Sequence, residues 1–117
     1  MSSTTILVIA AVVGVFIYAV WQSRGDIDGE QAQQRVAAGA RLLDVRTAAE
    51  FASGHLEGAL NIPLHQLQQR HGELGPAGQE VVVYCQSGMR SARAAALLRG
   101  LGYQAVNLGA MANGRTR

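Results

Sequence analysis

The sequence predicts an α/β domain with a mostly parallel sheet of about five strands and helices on both faces, behind an N-terminal transmembrane helix. Three observations carry that prediction. Strand-like and helix-like segments alternate from residue 28 onward, which implies parallel strands joined by helical crossovers. The run Val81-Val82-Val83 is apolar at every position, as in a strand covered on both faces. Residues 4–21 carry no charged side chain and are largely aliphatic.

The run from Thr4 to Trp21 would form about 27 Å of helix, close to the ~30 Å hydrocarbon thickness of a bilayer. Tyr18 and Trp21 stand near its end, as interfacial aromatics do. A cleaved secretory signal is the weaker reading. No Lys or Arg precedes the run, the run is long for a signal core, and no small-x-small site follows it. The N-terminal tail has no basic residue, whereas Arg24, Arg35 and Arg41 follow the span. The positive-inside rule then places the N-terminus outside and the domain in the cytoplasm. A lone unpaired cysteine agrees with that compartment. The expected organisation is a tail and transmembrane helix over residues 1–21, a linker over 22–26, and one domain over 27–117.

Within the domain, Asp28 with Gln31 reads as a capping box that opens a helix, and Gly39 ends it. Arg41 to Arg46 is a short strand with polar residues at its exit. Thr47-Ala48-Ala49-Glu50 is a second capping box, and that helix stops at Gly54. Ala59 to Ile62 forms a short strand closed by Pro63. A third helix is predicted over Leu64 to His71, followed by a loop rich in Gly and Pro. Glu80 to Tyr84 is the strongest strand. After the Cys85 loop an Ala- and Leu-rich helix runs to the region of Gly100 and Gly102, and Tyr103 to Leu108 is the last strand.

The formal net charge is +2, and all ten basic residues are Arg. There is no basic stripe interleaved with aromatics, so nucleic acid is not an expected partner. One Cys and three scattered His form no metal-ligand pattern, and no cofactor is implied.

Cys85 lies where the strand gives way to the loop Gln86-Ser87-Gly88-Met89-Arg90-Ser91. The first amides of a helix have no internal partners and point at whatever anion stands there. The helix dipole and the Arg90 cation would favour a thiolate. A buried, inert cysteine is the plain alternative, but the neighbours are loop formers rather than core residues. In a parallel α/β fold, ligands sit beyond the C-terminal strand ends. Asp44-Val45-Arg46 and the Cys85 loop both lie at such ends and are expected to share one site.

Two stretches resemble a known family. One runs from Leu42-Leu43-Asp44-Val45-Arg46 through Glu50-Phe51 and Gly54-His55-Leu56-Glu57-Gly58-Ala59 to Asn61-Ile62-Pro63. The other is Tyr84-Cys85-Gln86-Ser87-Gly88-Met89-Arg90-Ser91. Together they resemble the rhodanese domain of the sulfurtransferase family over about residues 27–109. The resemblance implies that Cys85 accepts a sulfane sulfur from a donor such as thiosulfate, becomes a persulfide, and passes the sulfur to a thiol or to cyanide. It makes residues 86–91 the substrate-binding loop and places Asp44 and Arg46 behind it, fixing loop or substrate. Arg90 would hold the loop or bind an anionic donor. The protein partner is left open.

Four residues separate Cys85 from Arg90, where tyrosine phosphatases and arsenate reductases have five. The smaller nest suits one sulfur atom better than a phosphate. His55 reads as a turn residue bonded to backbone, His65 and His71 as solvated, and Arg93 as a surface charge. The family commonly ends in a helix bearing Trp. Here Gly114 stands near that place, so the last helix is expected to be short. Two other functions stay in view: a membrane-tethered binding module of the same fold without turnover, and a relay of sulfur between proteins.

Overall fold

Capping side chains start the domain's first two helices where the sequence places them. The structure, a computed structural model, describes residues 2–115, and for residues 19–24 it describes the course of the backbone alone. Helix α1 spans Ser3–Arg24. Helix α2 spans Gly29–Ala37, with Asp28 accepting the Gln31 amide and Gln31 returning to the Asp28 amide. Strand β1 covers Arg41–Asp44, and Thr47 and Glu50 cap α3 over Ala48–Ala52 in the same reciprocal way. Strand β2 is Leu60–Asn61, α4 is Leu67–Arg70, β3 is Glu80–Cys85, α5 is Met89–Gly100 and β4 is Gln104–Ala110.

The four strands form one sheet in the order β2-β1-β3-β4, with every pair parallel. Asp44 pairs with both Asn61 and Tyr84, and Cys85 pairs with Ala110, so these strand ends gather at one end of the sheet. The two-residue alternation divides the core. Leu43, Val81, Val83 and Cys85 join Leu67, Leu74, Ala94, Ala95 and Leu98 on the α4–α5 side. Leu42, Val82 and Tyr84 join Ile27, Ala32 and Met111 on the α2 side. Complete burial of a Val or Leu side chain contributes about 1.5–3 kcal/mol, so the fully buried run Val81-Val82-Val83 holds both halves of the core to β3.

The sheet has four strands rather than about five. The position beyond β4 is held by a short segment instead of a ladder. Asp26 N–H donates to the Asn107 carbonyl at 2.6 Å, and the Asp26 carboxylate, not a backbone carbonyl, accepts Asn107 N–H at 3.0 Å. Gly25 (φ +72°) sits so close that an added Cβ would lie 2.5 Å from the Asn107 and Leu108 carbonyl oxygens.

The helix expected over Leu64–His71 is broken into a 3₁₀ turn at Leu64–Gln66, α4, and a second 3₁₀ turn at His71–Leu74. The torsions of Gln66 (φ −104°, ψ −6°) and Arg70 (φ −108°, ψ 3°) make the two breaks. The last described element is a 3₁₀ turn, Met111–Gly114, as short as expected.

Among the described residues, no helix is long and apolar enough to cross a membrane. The expected span over residues 4–21 is helical in α1, but described side chains end at Tyr18, about 24 Å of helix from Ser3. Residues 19–21, with the interfacial place given to Trp21, lie outside the described side chains.

Candidate active site

Cys85 is the last residue of β3 and is fully buried. The chain turns at Gly88, whose φ of +100° is left-handed and suits a residue without Cβ. That turn aims two peptide groups back at the sulfur. Gly88 N–H reaches Cys85 Sγ at 2.9 Å and Ser91 N–H reaches it at 3.4 Å. Gly88 caps α5 without a side-chain bond, so the sulfur occupies the place that a capping oxygen would take. Such converging amides make an anion-accepting concavity. As a thiol, Cys85 donates to Ser91 Oγ at 3.4 Å, and the Ser91 hydroxyl donates to Gly88 O at 3.0 Å. Sγ packs in the apolar core, yet its neighbouring peptide hydrogens face it.

Of the other loop residues, Gln86, Ser87 and Met89 are exposed, Arg90 is half-buried, and Ser91 is buried. Arg90 is not a free cation. Its guanidinium donates to both Glu50 oxygens, at 2.7 and 3.0 Å, and so ties the loop to α3. Arg90 holds the Glu50 carboxyl down to about 2, helped by the Thr47 amide. The Arg90 pKa is raised, first by the Glu50 hydrogen bond, with smaller Coulomb contributions from Cys85 and Asp44. Sequence reasoning missed Glu50 as part of this site. The capping box explained it fully, and nothing local links positions forty residues apart.

Asp44 and Arg46 form a buried ion pair at the end of β1. Arg46 Nε donates to Asp44 Oδ1 at 3.1 Å and Oδ2 at 3.0 Å, and Nη2 donates to Oδ2 at 2.7 Å. The same guanidinium donates to Gly54 O at 2.7 Å and to Gln86 Oε1 at 3.2 Å, which joins three loops. Hydrogen bonding to Asp44 raises the Arg46 pKa. Asn61 Nδ2 donates to the carbonyls of both Asp44 and Arg46. Tyr84 lies beneath, its hydroxyl accepting Leu56 N–H at 3.0 Å, and burial pushes its phenol upward. Arg46 thus touches the Cys85 loop through Gln86, and Asp44 acts on it through Arg46.

His55 stacks on Phe51 with ring centroids 3.7 Å apart and bonds Phe51 O, a turn role. His65 is exposed, whereas His71 departs from the expected solvation: its Nδ1 lies 3.2 Å from the Tyr103 hydroxyl. Arg93 lies on the exposed face of α5. Beside the loop is a recess of about 310 Å³ lined by Val45, Thr47, Pro63, Leu64, His65 and Arg90. A larger recess of about 500 Å³ lies against α2 and includes no residue of the Cys85 loop.

The rhodanese-like domain family matches residues 28–114. The uncharacterized protein YqhL of Bacillus subtilis is 39% identical over 102 residues, 85% of this chain and 80% of that one. A sulfurtransferase of Allochromatium vinosum is 42% identical over 80 residues, 67% of this chain and 74% of its own length. The human single-domain sulfurtransferase TSTD1 superposes with a TM-score of 0.64 at 33% identity, covering 78% of this chain and 90% of that one. The matched region contains the whole sheet and both strand-end loops, and the chain belongs to the rhodanese-like family.

Proposed function

We propose that this protein is a sulfurtransferase that moves a sulfane sulfur from a donor such as thiosulfate to a thiophilic acceptor through a persulfide on Cys85. One observation carries the reading: two peptide N–H groups at the start of α5 converge on Cys85 Sγ. They stabilise negative charge where the nucleophile needs it, without a metal or cofactor. The thiolate lone pair forms a new S–S bond to the donor's outer sulfur. The electron pair of the old S–S bond leaves with sulfite, so charge balances and no outside oxidant enters. The outer persulfide sulfur then carries the charge and is the atom that the acceptor takes. Ser91 holds the Gly88 carbonyl, and Arg90 and Arg46 hold the loop against α3 and the end of β1.

The test uses the full chain in mild detergent. Incubation with thiosulfate should add one sulfur atom to its intact mass, and cyanide should remove it as thiocyanate. Cys85→Ser should abolish both. Turnover surviving in that variant would overturn the mechanism, and a wild-type chain that never gains sulfur would favour a binding module. Loading only from a protein persulfide would favour the relay.

For location we propose that α1 seats in a lipid membrane with the domain on the cytoplasmic side. The support is an apolar surface without a partner: Leu7, Val12, Val15 and Phe16 are each between 64% and 70% exposed. Cys85 is buried and is a poor topology probe. Arg93→Cys in a Cys85→Ser background gives an exposed thiol, and an impermeant reagent that labels it in intact cells would refute the orientation.

A further inference from the structure

We propose that Glu50 determines the charge class of donor that the Cys85 site accepts, favouring monoanionic or neutral sulfane donors over a dianion. The inference rests on the sulfurtransferase reading above and names the substrate class for that site.

Among the described residues, the cations that touch the loop or belong to it are Arg46 and Arg90. Arg46 is neutralised by buried Asp44. Arg90 spends both terminal nitrogens on Glu50. Glu50 is itself fixed, because its Oε1 also accepts the Thr47 amide at 3.2 Å and the Thr47 hydroxyl at 3.2 Å. The helix cap therefore determines where the carboxylate stands, and the carboxylate determines where the guanidinium stands. Gln86, Ser87 and Met89 add no charge, and Met89 presents a thioether that is 54% exposed. The adjoining recess has Val45, Pro63 and Leu64 in its wall, together with Thr47, His65 and Arg90. A donor arriving here meets the peptide N–H groups around Sγ, apolar side chains, the polar Thr47 and His65, and an Arg90 already paired with Glu50. Peptide dipoles suit one negative charge. A dianion such as thiosulfate gains less here than it would beside an Arg90 released from Glu50.

Thiosulfate and an organic thiosulfonate separate the two classes. Both surrender their outer sulfur to a thiolate, one leaving as sulfite and the other as sulfinate, and they differ by one unit of charge. The full chain in neutral detergent is assayed with thiosulfate and with benzenethiosulfonate, cyanide being the acceptor for both. Wild type should show the higher kcat/KM with benzenethiosulfonate. Glu50→Gln keeps an oxygen for the Thr47 amide and removes the charge. It should raise kcat/KM for thiosulfate relative to benzenethiosulfonate by about fivefold, the upper range for a partly exposed ion pair. The ratio is taken on one preparation and does not depend on how much of it is folded. Adding Arg90→Gln to that variant should remove the gain, while Arg93→Gln alone should leave the wild-type ratio. An unchanged or falling ratio in Glu50→Gln, or a gain that survives loss of Arg90, overturns the proposal. Failure of both donors to load wild-type Cys85 would instead defeat the sulfurtransferase reading beneath it.

Discussion

Replacing Arg46 with Met would leave the fully buried Asp44 carboxylate without its cation. Three guanidinium contacts to that carboxylate disappear, while the Arg46 backbone amide, at 2.8 Å, still donates to Oδ1 and the Tyr84 phenol still faces the carboxylate. The other two partners are cheaper to lose. Gln86 is exposed and Gly54 is partly so, and water can replace the guanidinium at both. The cost is therefore that of a buried charge losing its partner, ~3–5 kcal/mol. Against a total of ~5–15 kcal/mol for a domain, that is a large fraction. Asp44→Asn alone strands the Arg46 cation and should cost a similar amount. The double variant Asp44→Asn/Arg46→Met strands neither charge. It retains one poorly satisfied amide, worth ~1–3 kcal/mol, so it should be more stable than either single variant. Urea unfolding followed by near-ultraviolet circular dichroism, which reports buried Tyr84 and Tyr103, measures all three. Costs that simply add in the double variant would refute the reasoning, because additivity would mean that the two groups do not neutralise each other.

Gly88→Ala should cost about 1–2 kcal/mol of stability, since φ is +100° there, and should lower sulfur loading as the Gly88 amide turns away from Sγ; stability and loading are read on the same sample by melting and intact mass. The Glu50 carboxyl lies at about 2 in the folded protein, below its ordinary value of 4.5. Its contribution is therefore complete above about pH 4.5 and is lost as pH falls toward 2. With both side chains about one-third exposed, screening reduces that contribution to ~1 kcal/mol. The stability difference between wild type and Glu50→Gln should shrink by that amount across this window, and a difference independent of pH would count against the ion pair.

The sequence made the proposed nucleophile legible because the signals were local. Cys85 follows a Val run and precedes a Gly-containing helix start, and each of those patterns has one structural meaning. Both capping boxes formed as spelled, since their partners are three residues apart. What was not legible depends on distant neighbours. The pairing of Arg90 with Glu50, of His71 with Tyr103, and of Asp26 with Asn107 all join residues at least thirty positions apart. The expectation of about five strands exceeded the four strand-like segments that the sequence offers, and among the described residues the sheet has those four. The helix expected over Leu64–His71 failed in a different way. Its apolar spacing fits a helix, but the two breaks lie in backbone torsions at polar residues that carry no breaker signal.

The sulfur that ends α5 has a consequence for how this protein can be watched at work. Under the proposed sulfur cycle this cap, unlike the Asp28 side chain that opens α2, would alter its size whenever an atom is gained or surrendered. The first amides of the helix would then feel each proposed turnover directly. Proton exchange at Gly88 and Ser91 becomes a natural gauge of cargo, readable without any label attached to the chain.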